Sequence, residues 1–324
     1  MTHATDLPAA IEARDLTRDF EVRRRGTGWR RTKSTVQAVR GLDLTVSSGE
    51  MVGYIGPNGA GKSTTVKMMT GILVPTAGHL RVAGVEPSKE RTALTRRIGV
   101  VFGQRSALWW DLPLRDSFDL LARIYRIPSA RFAENLDRYV DLLDLAPFLD
   151  TPVRQLSLGQ RMRGDIVAAL LHDPEILFLD EPTIGLDVVS KGRLREFLRS
   201  LNTERGTTLM LTTHDLGDIE ALCERVVVID HGTLAYDGTL GALSSSSGVG
   251  RTLVVDLLDE TSPIAVPGAE VVRVEGPRQW LSLPAGASAA PVVAAVAAGW
   301  DVADLKLLEP DIEDVIRTLY QRGR

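Results

Sequence analysis

Cysteine is nearly missing from this 324-residue chain, where Cys223 stands alone. A single thiol excludes an intrachain disulfide and a thiolate zinc site. Its surroundings, Ile219-Glu-Ala-Leu-Cys-Glu-Arg-Val226, predict a packed thiol near a helix end. No apolar run reaches the roughly 20 residues that cross a bilayer, and residues 1–8 lack the charged-then-apolar pattern of an export signal. An excess of positive charge is also missing. The 38 lysines and arginines against 42 aspartates and glutamates give a net charge of −4, which argues against a general nucleic-acid binder. No internal repeat is visible. These absences predict a cytoplasmic chain, with any membrane-spanning part carried by another polypeptide. The apolar content of 44% and charged content of 25% are those of a globular protein, long enough for one large or two medium domains.

Against that plain background one stretch stands out: Gly56-Pro57-Asn58-Gly59-Ala60-Gly61-Lys62-Ser63, followed by Thr64. It meets every fixed position of the phosphate-binding loop, G-x-x-x-x-G-K-[ST]. Backbone N–H groups can cradle a polyphosphate only where no Cβ blocks close approach, hence the glycines. The helix that follows turns its positive end to the same phosphates. Lys62 adds a mobile charge for the β and γ phosphates, and the Ser63 hydroxyl suits Mg²⁺. The flanks agree: residues 50–55 read as a short buried strand and 63–71 as a helix. The loop alone says nucleoside triphosphate and no more.

Ile176-Leu-Phe-Leu-Asp180 is an apolar run ending in an acid, a buried strand with a carboxylate at its carboxyl tip, where open α/β sheets bind ligands. Asp180 is placed to hold Mg²⁺ and Glu181 to polarise an attacking water. Without the upstream loop, the pair would read as solvated acids before a proline turn.

Gln155-Leu-Ser157-Leu-Gly159-Gln160-Arg161 brings a resemblance into view. It is similar to the signature L-S-G-G-Q of the ATP-binding cassette (ABC) family. Thr183-Ile-Gly-Leu-Asp187 resembles that family's D-loop, Thr212-Thr213-His214-Asp215 its switch histidine, and Gln104 falls where its Q-loop glutamine does. The resemblance covers about residues 10–240. Leu158 departs from it, standing where the family has glycine.

The resemblance implies a P-loop NTPase fold: a mixed α/β sheet core with a helical subdomain at about 105–165. It also implies a mechanism. Two cassettes would face head to tail, so that Ser157, Gly159 and Gln160 of one chain reach the γ-phosphate held by Lys62 of the other. Glu181 would orient water, His214 and Gln104 would sense the γ-phosphate and Mg²⁺, and Asp187 would link the two sites. The implied cofactors are ATP and Mg²⁺. The implied partners are a second copy of the chain and separate integral membrane permease subunits, at the cytoplasmic face of the membrane. The stretch Val101-Phe-Gly-Gln-Arg-Ser-Ala-Leu-Trp-Trp110 and the ending Glu309-Pro-Asp-Ile-Glu-Asp-Val-Ile316 resemble the ABC-2 export branch. The alternative is a non-transport ABC ATPase. A translation factor would normally join two cassettes, and a repair ATPase would need a long coiled coil between loop and signature, for which residues 105–155 are too short.

The rest of the chain supplies context. Residues 11–20 read as a first strand. Phe20 falls where the family stacks an aromatic on adenine, and a strand-end core Phe fits that position equally. Arg23, Arg24, Arg25, Arg30, Arg31 and Lys33, with Trp29 among them, read as a basic excursion over 21–35 before a strand at 36–46. A solvated loop or a contact with anionic lipid headgroups would account for it. Helices are predicted over Leu114–Tyr125 and 131–145. The adjacent Trp109 and Trp110 suit an interface with a membrane subunit or simple packing. The domain of residues 1–243 gives way to a serine-rich linker at 244–250. A small α+β domain follows at 251–324, with strands at 251–258, 269–274, 280–283 and 302–307 and helices at 290–298 and 310–320.

Overall fold

The computed structural model describes residues 8–25, 31–103, 105–246, 248–260, 262–308, 310, 315, 316 and 318. Gln104, Trp29 and Arg30, and most of the helix predicted over 310–320, lie outside the described residues. The chain divides into two compact units, Met1–Asp237 and Gly238–Arg324.

In the first unit, β1 (Ala9–Arg25) and β2 (Arg31–Ser47) form a long antiparallel hairpin. Next come β3 (Met51–Ile55), α1 (Lys62–Met69), β4 (Ala77–Val82), α2 (Arg91–Thr95) and β5 (Ile98–Phe102). The helical segment holds α3 (Leu114–Tyr125), α4 (Ser129–Leu142) and α5 (Leu158–Leu170). The sheet then resumes with β6 (Ile176–Asp180), α6 (Val188–Arg205), β7 (Thr208–Thr212), α7 (Leu216–Leu222), β8 (Arg225–Asp230) and β9 (Thr233–Thr239).

Two sheets result. One is three-stranded, in the order β2-β1-β4, and antiparallel. The other is six-stranded, in the order β5-β6-β7-β3-β8-β9, with β5, β6, β7, β3 and β8 paired in parallel. The parallel strands are near-continuous apolar runs because both faces are covered, as at Leu177, Phe178 and Leu179. A shared core joins Ile11, Leu16, Leu42 and Val46 of the hairpin to Val66, Met68 and Met69 of α1 and to Tyr54 and Phe178. Order β6-β7-β3 sets the carboxyl end of β6 two strands away from that of β3, so Asp180 and the phosphate loop share one edge of the sheet.

The helices follow their apolar spacing. α3 buries Leu114, Phe118, Leu121 and Ala122, one stripe at three- and four-residue intervals. It ends at Arg126, whose φ of 56° is left-handed, and Pro128 caps the start of α4. α4 stops at Leu142, earlier than the sequence suggests. Leu143 and Leu145 stay buried, while Asp144 at φ 52° turns the chain.

Two expectations are corrected. The basic run is not a loop at its flanks: β1 continues to Arg25 and β2 starts at Arg31, in register through the pair Arg25↔Arg31. Arginine obscures a strand in the sequence, but the backbone ladder does not depend on it. The serine run is not wholly linker. Residues 240–246 form α8 (Leu240–Ser246), anchored by buried Leu243 and by the Thr239 hydroxyl accepting from the Ala242 N–H at 3.2 Å.

The second unit also holds β10 (Thr252–Leu257), β11 (Glu270–Glu275), β12 (Arg278–Ser282), α9 (Ala290–Gly299) and β13 (Val302–Leu308). The strands make an antiparallel sheet, β11-β12-β10-β13. Its core joins Leu253, Val255 and Leu281 to Val292 and Val296 of α9. Among the described residues no helix is long and apolar enough to cross a membrane.

Candidate functional site

The phosphate loop turns from β3 into α1 through conformations that demand glycine. Gly59 has φ 82° and Gly61 φ 106°. A Cβ on Gly61 would lie 2.4 Å from the Ala38 carbonyl oxygen, and one on Gly56 would lie 2.4 Å from that of Ile229. Those glycines are fixed by backbone packing as much as by any ligand. Gly56, Pro57 and Lys62 are half-buried, Asn58, Gly59 and Ser63 are exposed, and Ala60 is buried.

The Lys62 ammonium folds back over the loop and donates to the carbonyl oxygens of Gly56 at 2.5 Å and Pro57 at 3.2 Å. Partial burial lowers its pKa, and the carboxylates of Asp180 and Glu181 oppose that shift. Asp180 ends β6, and one of its oxygens accepts from the Thr212 hydroxyl on β7. Glu181 follows at φ 53°, unusual for a residue with a side chain. Its N–H donates to the Thr212 carbonyl at 2.8 Å. His214 Nε2 lies 3.5 Å from Glu181 Oε1.

These groups converge. Residues Pro57 to Thr64, with Lys67, Phe102, Gly103, Arg105, Asp180, Glu181 and His214, line one cavity of about 510 Å³. Gly103 lets the chain after β5 pass close, since a Cβ there would meet the Asp180 carbonyl oxygen at 2.8 Å. Ser63 and Asp180 thus face one space, a hydroxyl and a single carboxylate. Among the described residues there is no cluster of three or more His, Cys, Asp or Glu arranged to hold a metal. That donor set fits an ion such as Mg²⁺, which keeps waters and takes further oxygens from phosphate.

Other expected residues stand apart from this cavity. Ser157 caps α5: its Oγ accepts from the Gln160 N–H at 3.2 Å, while the Gln160 side-chain oxygen accepts from the Ser157 N–H at 2.9 Å. The structure therefore occupies Gln160 in a capping box. Gly159 is pressed against Gly185 and Leu186, where a Cβ would come within 3.0 Å of the Gly185 carbonyl oxygen. Leu158 lies across Gly185: a Cβ on that glycine would be 2.6 Å from Leu158 Cδ2. The departure from the signature is thus a contact between signature and D-loop. Asp187 caps α6, accepting from the Ser190 N–H at 2.9 Å and hydroxyl at 2.8 Å, and these bonds lower its pKa. Phe20 is half-buried and does not line the cavity; the Arg18 guanidinium lies 4.7 Å from its ring centre. Trp109 and Trp110 are both on the surface, 37% and 54% exposed.

Sequence reasoning missed a polar network behind the site. Buried Asp218 accepts from the Thr183 hydroxyl and pairs with Arg195 of α6. Asp215, next to His214, pairs with Lys191 of the same helix at 2.5 Å. The D-loop, α6 and the segment carrying His214 are thereby tied together. Helical spacing of Lys191 and Arg195 was the one available signal.

Comparison with known proteins agrees with this geometry. Residues 39–184 match the family model described as ABC transporter. A daunorubicin resistance ATP-binding protein of Streptomyces coeruleorubidus is 36% identical over 287 residues, 86% of this chain and 90% of that protein. The ABC transporter ATP-binding protein NatA of Bacillus subtilis is 33% identical over 66% of this chain and 87% of its own length. Among solved structures, the dimeric structure of a bacterial ABC transporter cassette is similar with a TM-score of 0.60 and 27% identity, over 71% of this chain and 98% of that one. The chain belongs to the ABC transporter family, among its ATP-binding proteins.

Proposed function

We propose that this ATPase powers export through separate membrane subunits, working as a head-to-tail pair of identical chains at the cytoplasmic face of the membrane. The observation that carries the reading is the split arrangement. Lys62, Asp180, Glu181 and His214 line one cavity, while Ser157 and Gly159 lie outside its lining. Around the latter, Leu158, Ile184, Val188 and Val189 are exposed, Val188 at 86%. An apolar patch beside an unused signature suits burial against a second copy.

In the pair, Ser157 and the N-terminus of α5 from one chain would meet the γ-phosphate lying on Lys62 of the other. Lys62 would exchange its loop carbonyls for phosphate oxygens. Ser63 and Asp180 would hold Mg²⁺, which supplies charge neutralisation at the β and γ phosphates. Glu181 would orient the attacking water and take its proton, with His214 and Gln104 contacting the γ-phosphate side. Asp187 would sit at the junction of the two sites. Phe20 would stack on adenine. Contacts made only with the γ-phosphate then favour the closed pair, and their loss on hydrolysis releases it. The exposed Trp109 and Trp110 would dock a membrane subunit, and the second unit would act as an accessory domain. The relatives' names concern drug resistance and Nod factor export, which favours an exporter over a translation-factor or repair ATPase.

The test is Glu181→Gln, whose amide cannot take a proton. ATP binding and ATP-dependent pairing by light scattering should persist, with turnover reduced by about 10²–10⁴-fold. Near-wild-type turnover would remove Glu181 from the role.

A further inference from the structure

Beyond Phe20, the β1–β2 hairpin has no role in that scheme. β4 pairs with β1 only from Ile11 to Thr17. From Arg18 to Arg25 the hairpin continues as a two-stranded ribbon, about 25 Å long at the usual rise per residue. None of residues 17–22 or 33–38 is buried. Register fixes which residues share a face. The cross-strand pairs Glu21↔Thr35, Arg23↔Lys33 and Arg25↔Arg31 lie on one side, and Phe20↔Val36, Val22↔Ser34 and Arg24↔Thr32 on the other. The first side therefore sets like charges directly opposite each other twice in succession, which destabilises an isolated ribbon. Glu21 offsets part of this through an exposed ion pair with Lys33 at 3.2 Å. An arrangement that opposes its own folding in water becomes favourable where an anionic surface meets that side.

We propose that the basic side of this ribbon, carrying Arg23, Arg25, Arg31 and Lys33, docks on the headgroups of anionic phospholipids. Charge distribution favours a bilayer over a nucleic acid. Residues 21–35 hold six of the chain's 38 basic residues and one of its 42 acidic residues, so the remainder of the chain carries a net negative charge. A polynucleotide long enough to use the ribbon would be disfavoured by that net negative charge. A plane of headgroups need engage no more than this side of the ribbon, and on the proposed function the chain already works beside a membrane. The contact would hold the ATPase against the membrane independently of its protein partners.

Cosedimentation of the full chain with vesicles tests the proposal, using pure phosphatidylcholine and phosphatidylcholine with about a third phosphatidylglycerol. Binding is expected to the anionic vesicles only, and to be lost in 0.5 M salt, taken as roughly a high-salt limit. The triple variant Arg23→Gln/Arg25→Gln/Arg31→Gln should bind the anionic vesicles roughly a hundredfold more weakly, about fivefold per arginine, with ATP turnover in solution unchanged. Should that variant fail to fold, Arg31→Gln alone is expected to bind about fivefold more weakly. Equal binding to neutral vesicles, unchanged binding by the folded variant, or displacement from vesicles by polynucleotide at equal phosphate would overturn the proposal.

Discussion

Asp165 offers a quantitative check on the helical segment. It sits on α5, buried, and one oxygen accepts from both the Ser106 hydroxyl and the Ala107 N–H at 2.8 Å. The Ser106 hydroxyl also accepts from the Leu108 N–H at 3.1 Å, so this carboxylate organises the loop that presents Trp109 and Trp110. Burial raises its pKa from 3.8 to about 6, against the two hydrogen bonds and the charge of Arg161. In the folded state the group therefore keeps a proton that the unfolded chain has lost. Stability contributed by that proton is full below pH 4, declines as pH rises toward 6, and is absent above. The difference corresponds to roughly 3 kcal/mol at pH 8. Asp165→Asn keeps the accepting oxygen and removes the charge. The variant should melt at a similar temperature to wild type at pH 4 and about 6–10 °C higher at pH 8. Thermal melts followed by tryptophan fluorescence at a series of pH values read this directly, since two tryptophans lie on the affected loop. A variant no more stable at pH 8, or a difference independent of pH, would refute the reasoning.

Three further outcomes are expected. Trp109→Ala/Trp110→Ala should cost at most about 1 kcal/mol per residue in the isolated chain, given the exposure of both rings, and should abolish pull-down of the membrane subunits; a folded variant that still binds them would end the interface assignment. Cys223 is buried at the end of α7, and burial pushes its thiol up to about 12. It should resist alkylation at pH 8 until the protein is unfolded, and rapid labelling of native protein would contradict that placement. Gly185→Ala should destabilise by about 1–2 kcal/mol, through both its left-handed φ of 74° and the clash with Leu158, and Leu158→Gly should recover part of that loss in a double-mutant cycle.

How much could be read beforehand depended on how local each constraint is. The phosphate loop is legible because its defining residues Gly56, Gly61, Lys62 and Ser63 are contiguous in one short motif, although the carbonyls of Ile229 and Ala38 that exclude a Cβ at Gly56 and Gly61 come from other strands. Asp180 and Glu181 were legible as the polar end of an apolar strand. The left-handed backbone at Glu181 was not, because the Thr212 carbonyl that receives its N–H comes from a neighbouring strand. Asp218 and Arg195 were hidden for the same reason, their partnership being set by tertiary packing. The Ser157-x-x-Gln160 spacing is a capping box in the sequence itself, but the resemblance drew Gln160 toward a ligand role. The ribbon was misread because arginines mask alternation that the register restores.

The central claim is that each ATP site is built from two copies of this chain, and mixing two inactive variants tests it directly. Lys62→Ala removes the phosphate contact from one partner, and Ser157→Arg blocks the signature of the other. Each alone should have negligible ATPase activity. In a head-to-tail pair of the two, the intact Lys62 of one chain faces the intact Ser157 of the other. The mixture should then recover about a quarter of wild-type activity, since half the pairs are mixed and each has one whole site. No recovery, with both variants folded and mixed pairs demonstrated by crosslinking, would contradict a site shared between copies.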